Sequence, residues 1–133
     1  MVTDQEGVVM VEDIEEELEE ALRSLRQVSP YLVGSAVITG DGFVVASELP
    51  DEDFEKKVTL MAMAMLSMGE EATSELGSSD LERVLVESKD SYVAMVNAGP
   101  GAILAAVAEK KIVLGLLFLT LKETAARIDE LLY

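Results

Sequence analysis

With no histidine and no cysteine among its 133 residues, the chain lacks the commonest general base, the commonest transition-metal ligand and all thiolate chemistry. What remains for chemistry is carboxylates, hydroxyls, lysines and three tyrosines. Catalysis with these needs paired carboxylates, or an activated hydroxyl, held together in a pocket, and no spacing along the chain singles out such a set. Gly40-Asp41-Gly42 could cradle a phosphate, but the lysine and the Ser/Thr that complete a phosphate loop are missing. An Asp-Gly pair between apolar runs is instead a hairpin signal. Asn97-Ala98-Gly99-Pro100-Gly101 likewise reads as a turn. The expectation is a protein that is not an enzyme, with no catalytic residue, no cofactor and no metal site.

Acids outnumber bases 26 to 10, a formal net charge of -16. Phosphate binding relies on clustered Lys and Arg, so the balance argues against nucleic acid, and an anionic membrane surface would repel the chain for the same reason. No basic region precedes an apolar stretch at the amino terminus, and Gly34, Gly40, Asp41 and Gly42 interrupt the longest apolar region well short of a membrane span. These features lead to the expectation of a soluble, cytoplasmic protein without membrane insertion, and the length is that of one domain.

The elements that must position any functional surface follow from periodicity. Residues 1–10 carry no helical stripe and read as a loose leader, with a single domain over 11–133. From Asp13, a plausible N-cap, Ile14, Leu18, Ala21, Leu22, Leu25 and Val28 recur at helical spacing until Pro30. The glutamates on the other sides of this helix read as a solvated face more readily than as a dock for a basic partner, and Glu19 and Arg23 stand in the favourable i, i+4 order. Leu32 to Thr39 and Phe43 to Ser47 read as strands joined by the Gly-Asp-Gly turn. Leu81 to Glu87, Tyr92 to Ala98 and Ala102 to Ala108 read as three more, with loops short enough for antiparallel neighbours. A last helix shows Leu114, Leu117, Leu121, Ala125, Ile128 and Leu132 on one face.

The helix between the second and third strands, Asp53 to Leu76, is apolar on more than one side. On a wheel at 100° per residue, Phe54, Val58, Met61, Met65, Met68, Ala72 and Leu76 form a core stripe. Met63 falls opposite, flanked by Leu60 and Leu66, with Thr59, Ser67, Glu70 and Ser74 between them. That second strip needs a cover, and methionine suits an adaptable protein-binding surface. In the third strand, Val84 and Val86 alternate with Arg83, Leu85 and Glu87, a pattern suited to an edge that pairs with its own copy. Two one-sided helices and one two-sided helix around a five-stranded antiparallel sheet give an α+β sandwich in the order α-β-β-α-β-β-β-α, with the two-sided helix alone on one face.

This order of elements, with Asp41-Gly42-Phe43-Val44-Val45-Ala46-Ser47 in the first hairpin and Leu114-Gly115 opening the last helix, resembles the Roadblock/dynein light chain family, and most of all its prokaryotic regulators of small GTPases. Profilin-like and longin domains share much of the architecture. The resemblance implies dimers in which third strands pair side by side and long second helices pack together. It thereby points to Leu60, Met63, Leu66, Val84, Leu85 and Val86 as a dimer interface, the same helix strip that the wheel leaves uncovered. It further implies binding of a small Ras-like GTPase, for which Thr59, Met63, Ser67, Glu70 and Ser74 form the candidate surface. An arginine supplied in trans would speed GTP hydrolysis, but only Arg23, Arg26, Arg83 and Arg127 exist, and none sits in an obvious exposed loop. A scaffold subunit of a motor or signalling complex without a GTPase partner, or a small-ligand sensor module, are the alternatives.

Overall fold

Ile14, Leu18, Leu22 and Leu25 line one side of α1 (Thr3–Val28) in the computed structural model, which describes residues 3–78 and 80–133 and side-chain environments from Asp13 onward. They pack with Leu117, Leu121, Ala125 and Ile128 of α3 (Leu114–Leu132) on one face of the sheet. The start of α1 corrects the expected boundary. Residues 3–10, read as a leader, are helical, and Asp13 lies inside the helix instead of capping it; Met1 and Val2 lie outside the described residues. Once a helix is nucleated, extending it past a capping signal costs only residue propensity. Val28, expected in the buried stripe, is exposed.

The sheet holds β1 (Leu32–Thr39), β2 (Val44–Glu48), β3 (Arg83–Glu87), β4 (Ser91–Asn97) and β5 (Ala102–Glu109) in the order β2-β1-β5-β4-β3, with every neighbouring pair antiparallel. β1 and β5 are covered on both faces, as their near-continuous apolar runs demand. β2 starts one residue later than expected because Phe43 closes the turn, its carbonyl accepting the Thr39 N–H at 2.8 Å. The Asp41 carboxylate accepts the Thr39 hydroxyl at 2.6 Å, so the Gly-Asp-Gly segment is spent on the turn.

α2 (Glu52–Glu75) lies alone on the other face. The Asp51 carboxylate accepts the Phe54 N–H at 2.8 Å and caps its start, and Gly77, at φ +66°, ends it while Ser78 N–H returns to the Thr73 carbonyl at 2.8 Å. The face it buries differs from the expected stripe. Val58, Ala62 and Met65 meet Ala36, Ile38, Met95, Ile103, Ala105 and Val107, whereas Met61, Met68 and Leu76 are exposed. Small residues set this rotation: at Gly69 an added Cβ would stand 2.7 Å from Leu81 Cδ2 and 3.0 Å from Val84 Cγ2, so the helix seats against the start of β3 where it has least bulk.

Candidate functional site

Because Val58, Ala62, Met65 and Gly69 take the sheet side, helical geometry turns Leu60, Met61, Ala64 and Met68 to one outward flank. Leu60 and Met68 are each 73% exposed and Met61 41%. Scattered apolar side chains in water need no explanation, but an aligned set on one helix flank is a surface that a partner would cover. Of the strip expected to lack a cover, Leu60 does stand in the open. Met63 and Leu66 do not: both are half-buried against the sheet-side cluster, on the opposite flank of α2, and Met63 Cγ reaches to the Gly42 turn.

The strip of Thr59, Met63, Ser67, Glu70 and Ser74 is brought together along that second flank and the top of the helix. Ser67, Glu70 and Ser74 are exposed. The Thr59 hydroxyl is half-buried and donates to the Glu55 carbonyl at 2.8 Å, which leaves it little to offer a partner. Glu70 and Leu66 also edge an open cleft of about 560 Å³ whose other walls are the β4–β5 turn and Leu81.

β3 is an edge of the sheet. Val84 is half-buried toward α2, Leu85 is half-buried toward α3, and Val86 is 48% exposed. β2, the other edge, has a register shift opposite Val37 and Ile38 and lies beside α1, whereas β3 pairs with β4 in unbroken register. A bulge is an ordinary guard of an edge, and β3 has none.

The four arginines fall in three settings. Arg23 pairs with Glu19 at 3.9 Å on α1, Arg26 and Arg127 are exposed on helices, and Arg83 extends over the Phe118 ring at 4.3 Å from its centroid. The Arg83–Phe118 stack was not visible in the sequence, since it joins β3 to α3. It borders a cleft of about 510 Å³ whose rim carries both signs, Arg83 and Lys122 facing Asp80, Glu82 and Asp129, so that no ligand charge is favoured. Among the described residues no group of three or more acidic side chains could hold a metal ion, and no helix is long and apolar enough to cross a membrane.

Known proteins place this arrangement. The model of the Roadblock/LC7 domain matches residues 16–108. Protein MJ0714 of Methanocaldococcus jannaschii is 39% identical over 95 residues, covering 71% of this chain and 80% of its own length. Among solved structures, a Roadblock/LC7 domain from Streptomyces avermitilis superposes with a TM-score of 0.79 at 22% identity, over 83% of this chain and 92% of that one. MglB of Myxococcus xanthus superposes at 0.78 with 11% identity, over 86% of each chain. The fold is theirs, and by sequence and architecture together the chain belongs to the Roadblock/LC7 family.

Proposed function

We propose that the chain is a homodimeric, non-catalytic regulator or adaptor that docks a small Ras-like GTPase. The observation that carries this is the division of α2 into two surfaces. Leu60, Met61 and Met68 lie apolar and open on one flank, and Ser67, Glu70 and Ser74 cover the top and the other. The apolar flank, with Val84, Leu85 and Val86 of the unguarded β3, suits a permanent contact with a second copy, which is most stable where charge is sparse. The mixed strip with Thr59 and Met63 suits a partner that comes and goes, because it is polar enough to stay in water when free. Family resemblance supplies the class of partner, and the surface and the charge come from this chain. The net charge of -16 speeds association with a basic patch, so the on-rate falls as salt rises.

Calorimetric titration of the Ras-like GTPases of the source organism, loaded with GDP or with a non-hydrolysable GTP analogue, tests the reading. Wild type is expected to bind one nucleotide state in preference, and a Ser67→Arg, Glu70→Arg variant that remains dimeric is expected to bind more weakly. Equal binding by both proteins removes this surface from the proposal. Absence of binding in either state removes the GTPase.

A further inference from the structure

The main chain of β3 has a fixed polarity. Asn97 N–H donates to the Glu82 carbonyl at 3.2 Å and Ser88 N–H to the Ser91 carbonyl at 2.9 Å, so even-numbered residues there turn their main-chain groups toward β4. The groups of Arg83, Leu85 and Glu87 therefore face the open edge. Side chains alternate across the sheet: Val84 joins the α2-side cluster, while Leu85 packs on the α3 side and Arg83 lies over Phe118.

We infer that β3 selects a second copy of this chain through a self-complementary register centred on Leu85, in which Arg83 stands opposite the partner's Glu87 and Val84 opposite the partner's Val86. The inference rests on the homodimer reading above and names what sets its register and its choice of partner. A two-fold axis perpendicular to the sheet keeps each face on its own side, so a residue can oppose only one of its own parity, and the axis must pass through a residue, the three central ones of the strand being Val84, Leu85 and Val86. Centred on Val84, Arg83 meets the partner's Leu85, and Glu87 pairs beyond the strand with the partner's Leu81. Centred on Val86, Glu87 meets the partner's Leu85, and Val84 pairs with the partner's Ser88. Only the Leu85 register keeps all of Arg83–Glu87 paired, sets unlike charges together and apolar residues together, and gives every edge-facing main-chain group a counterpart. The other edge has no such symmetry: in Val44–Glu48 the same operation puts Glu48 against the partner's Val44.

Existing contacts prepare the charged pair. Glu87 accepts from the Lys110 ammonium, and Arg83 is held over Phe118, both on the α3 side. Pairing thus builds a row running from Lys110 through Glu87 to the partner's Arg83 and the partner's Phe118, repeated on the other side of the axis.

Charge exchange tests the register. Arg83→Glu or Glu87→Arg alone places like charges opposite each other at both pairs and is expected to raise the self-dissociation constant about tenfold. Mixed in equal amounts, the two variants are expected to form mainly the heterodimer in native mass spectrometry, because every pair is then complementary. The double variant Arg83→Glu, Glu87→Arg is expected to recover wild-type dimerisation even though it lacks the Phe118 stack and the Lys110 contact. Since the chain has no cysteine, Leu85→Cys gives an independent reading: the Cα atoms of such a main-chain hydrogen-bonded pair lie about 5.5 Å apart, within disulfide reach, so it cross-links to its own copy under mild oxidation and Val84→Cys does not. A wild-type dimer indifferent to both single exchanges, with no cross-link at Leu85→Cys, overturns the register and leaves the dimer standing. A wild type that is monomeric throughout a dilution series overturns both.

Discussion

Replacing Met68 by glutamate separates what the protomer needs from what its dimer needs. Met68 is 73% exposed in the protomer, so the substitution should leave the protomer's own stability within about 0.5 kcal/mol. Full burial of a methionine side chain contributes about 1.5–3 kcal/mol. With nearly three-quarters of Met68 still in water before association, its cover in a dimer contributes about 1–2 kcal/mol per copy, or about 2–4 kcal/mol per two-fold dimer. At 1.4 kcal/mol per tenfold, Met68→Glu should raise the dimer dissociation constant about 30- to 700-fold, and desolvation of the new carboxylate adds to this. Light scattering across a dilution series reads the constant, and thermal melts at a concentration where both proteins are monomeric read the protomer. Glu16→Gln, on the exposed face of α1, should change neither. An unchanged dissociation constant would refute the placement of Met68 in the interface. A protomer melt depressed as for a core substitution would refute the rotation of α2 on which the placement stands.

That rotation was the part of the fold least legible in the sequence. β1 runs from Leu32 to Thr39 as its apolar run between Pro30 and Gly40 demands, and the ends of α2 follow from Asp51 and Gly77, because turns and caps are local and their residue chemistry is specific. Which side of α2 meets the sheet is not a local matter. Val58, Met61, Met65 and Met68 are all apolar and share one arc of the wheel, so periodicity does not say where along that arc the contact with the sheet is centred. Depth decides instead: Ala62 and Gly69 let the helix approach Leu81 and Val84, and long side chains on that line would hold it off. The exposure of the second strip is hidden for the same reason, since a helix turned this way leans Met63 and Leu66 onto the hairpin and the sheet and leaves Leu60 outside. The start of α1 was hidden differently. Asp13 carries a capping pattern, but such a pattern permits a start without enforcing one. The edge character of β3 was legible because alternation and charge placement are read directly along a strand. Its stack on Phe118 was not, because it depends on where α3 lies.

The remaining predictions concern the two faces of the sheet. Ser35 is fully buried and its hydroxyl has no partner among the described residues, so Ser35→Ala should hold or raise stability by about 1 kcal/mol in urea unfolding. A loss of that size would mean that the hydroxyl is satisfied. Gly69→Val should lower stability, and the sign follows from two opposed effects. Replacing a mid-helix glycine gains up to about 1 kcal/mol of helix propensity, and less for valine than for alanine. Against this, the first added carbon already stands within 3.0 Å of Val84 Cγ2 and nearer still to Leu81, and the valine methyls extend toward the same neighbours. The half-buried Leu81 can swing aside, but Val84 is β-branched and fixed on a strand, so overpacking of about 1–3 kcal/mol prevails, and the net loss is about 1–2 kcal/mol. Because the strain is relieved by pushing β3 away from α2, the same substitution should weaken self-association, while Gly69→Ala stays near wild type in both measurements. A Gly69→Val protein as stable and as dimeric as wild type would show that α2 does not press on β3 at this point and that Gly69 does not set which flank of α2 is exposed.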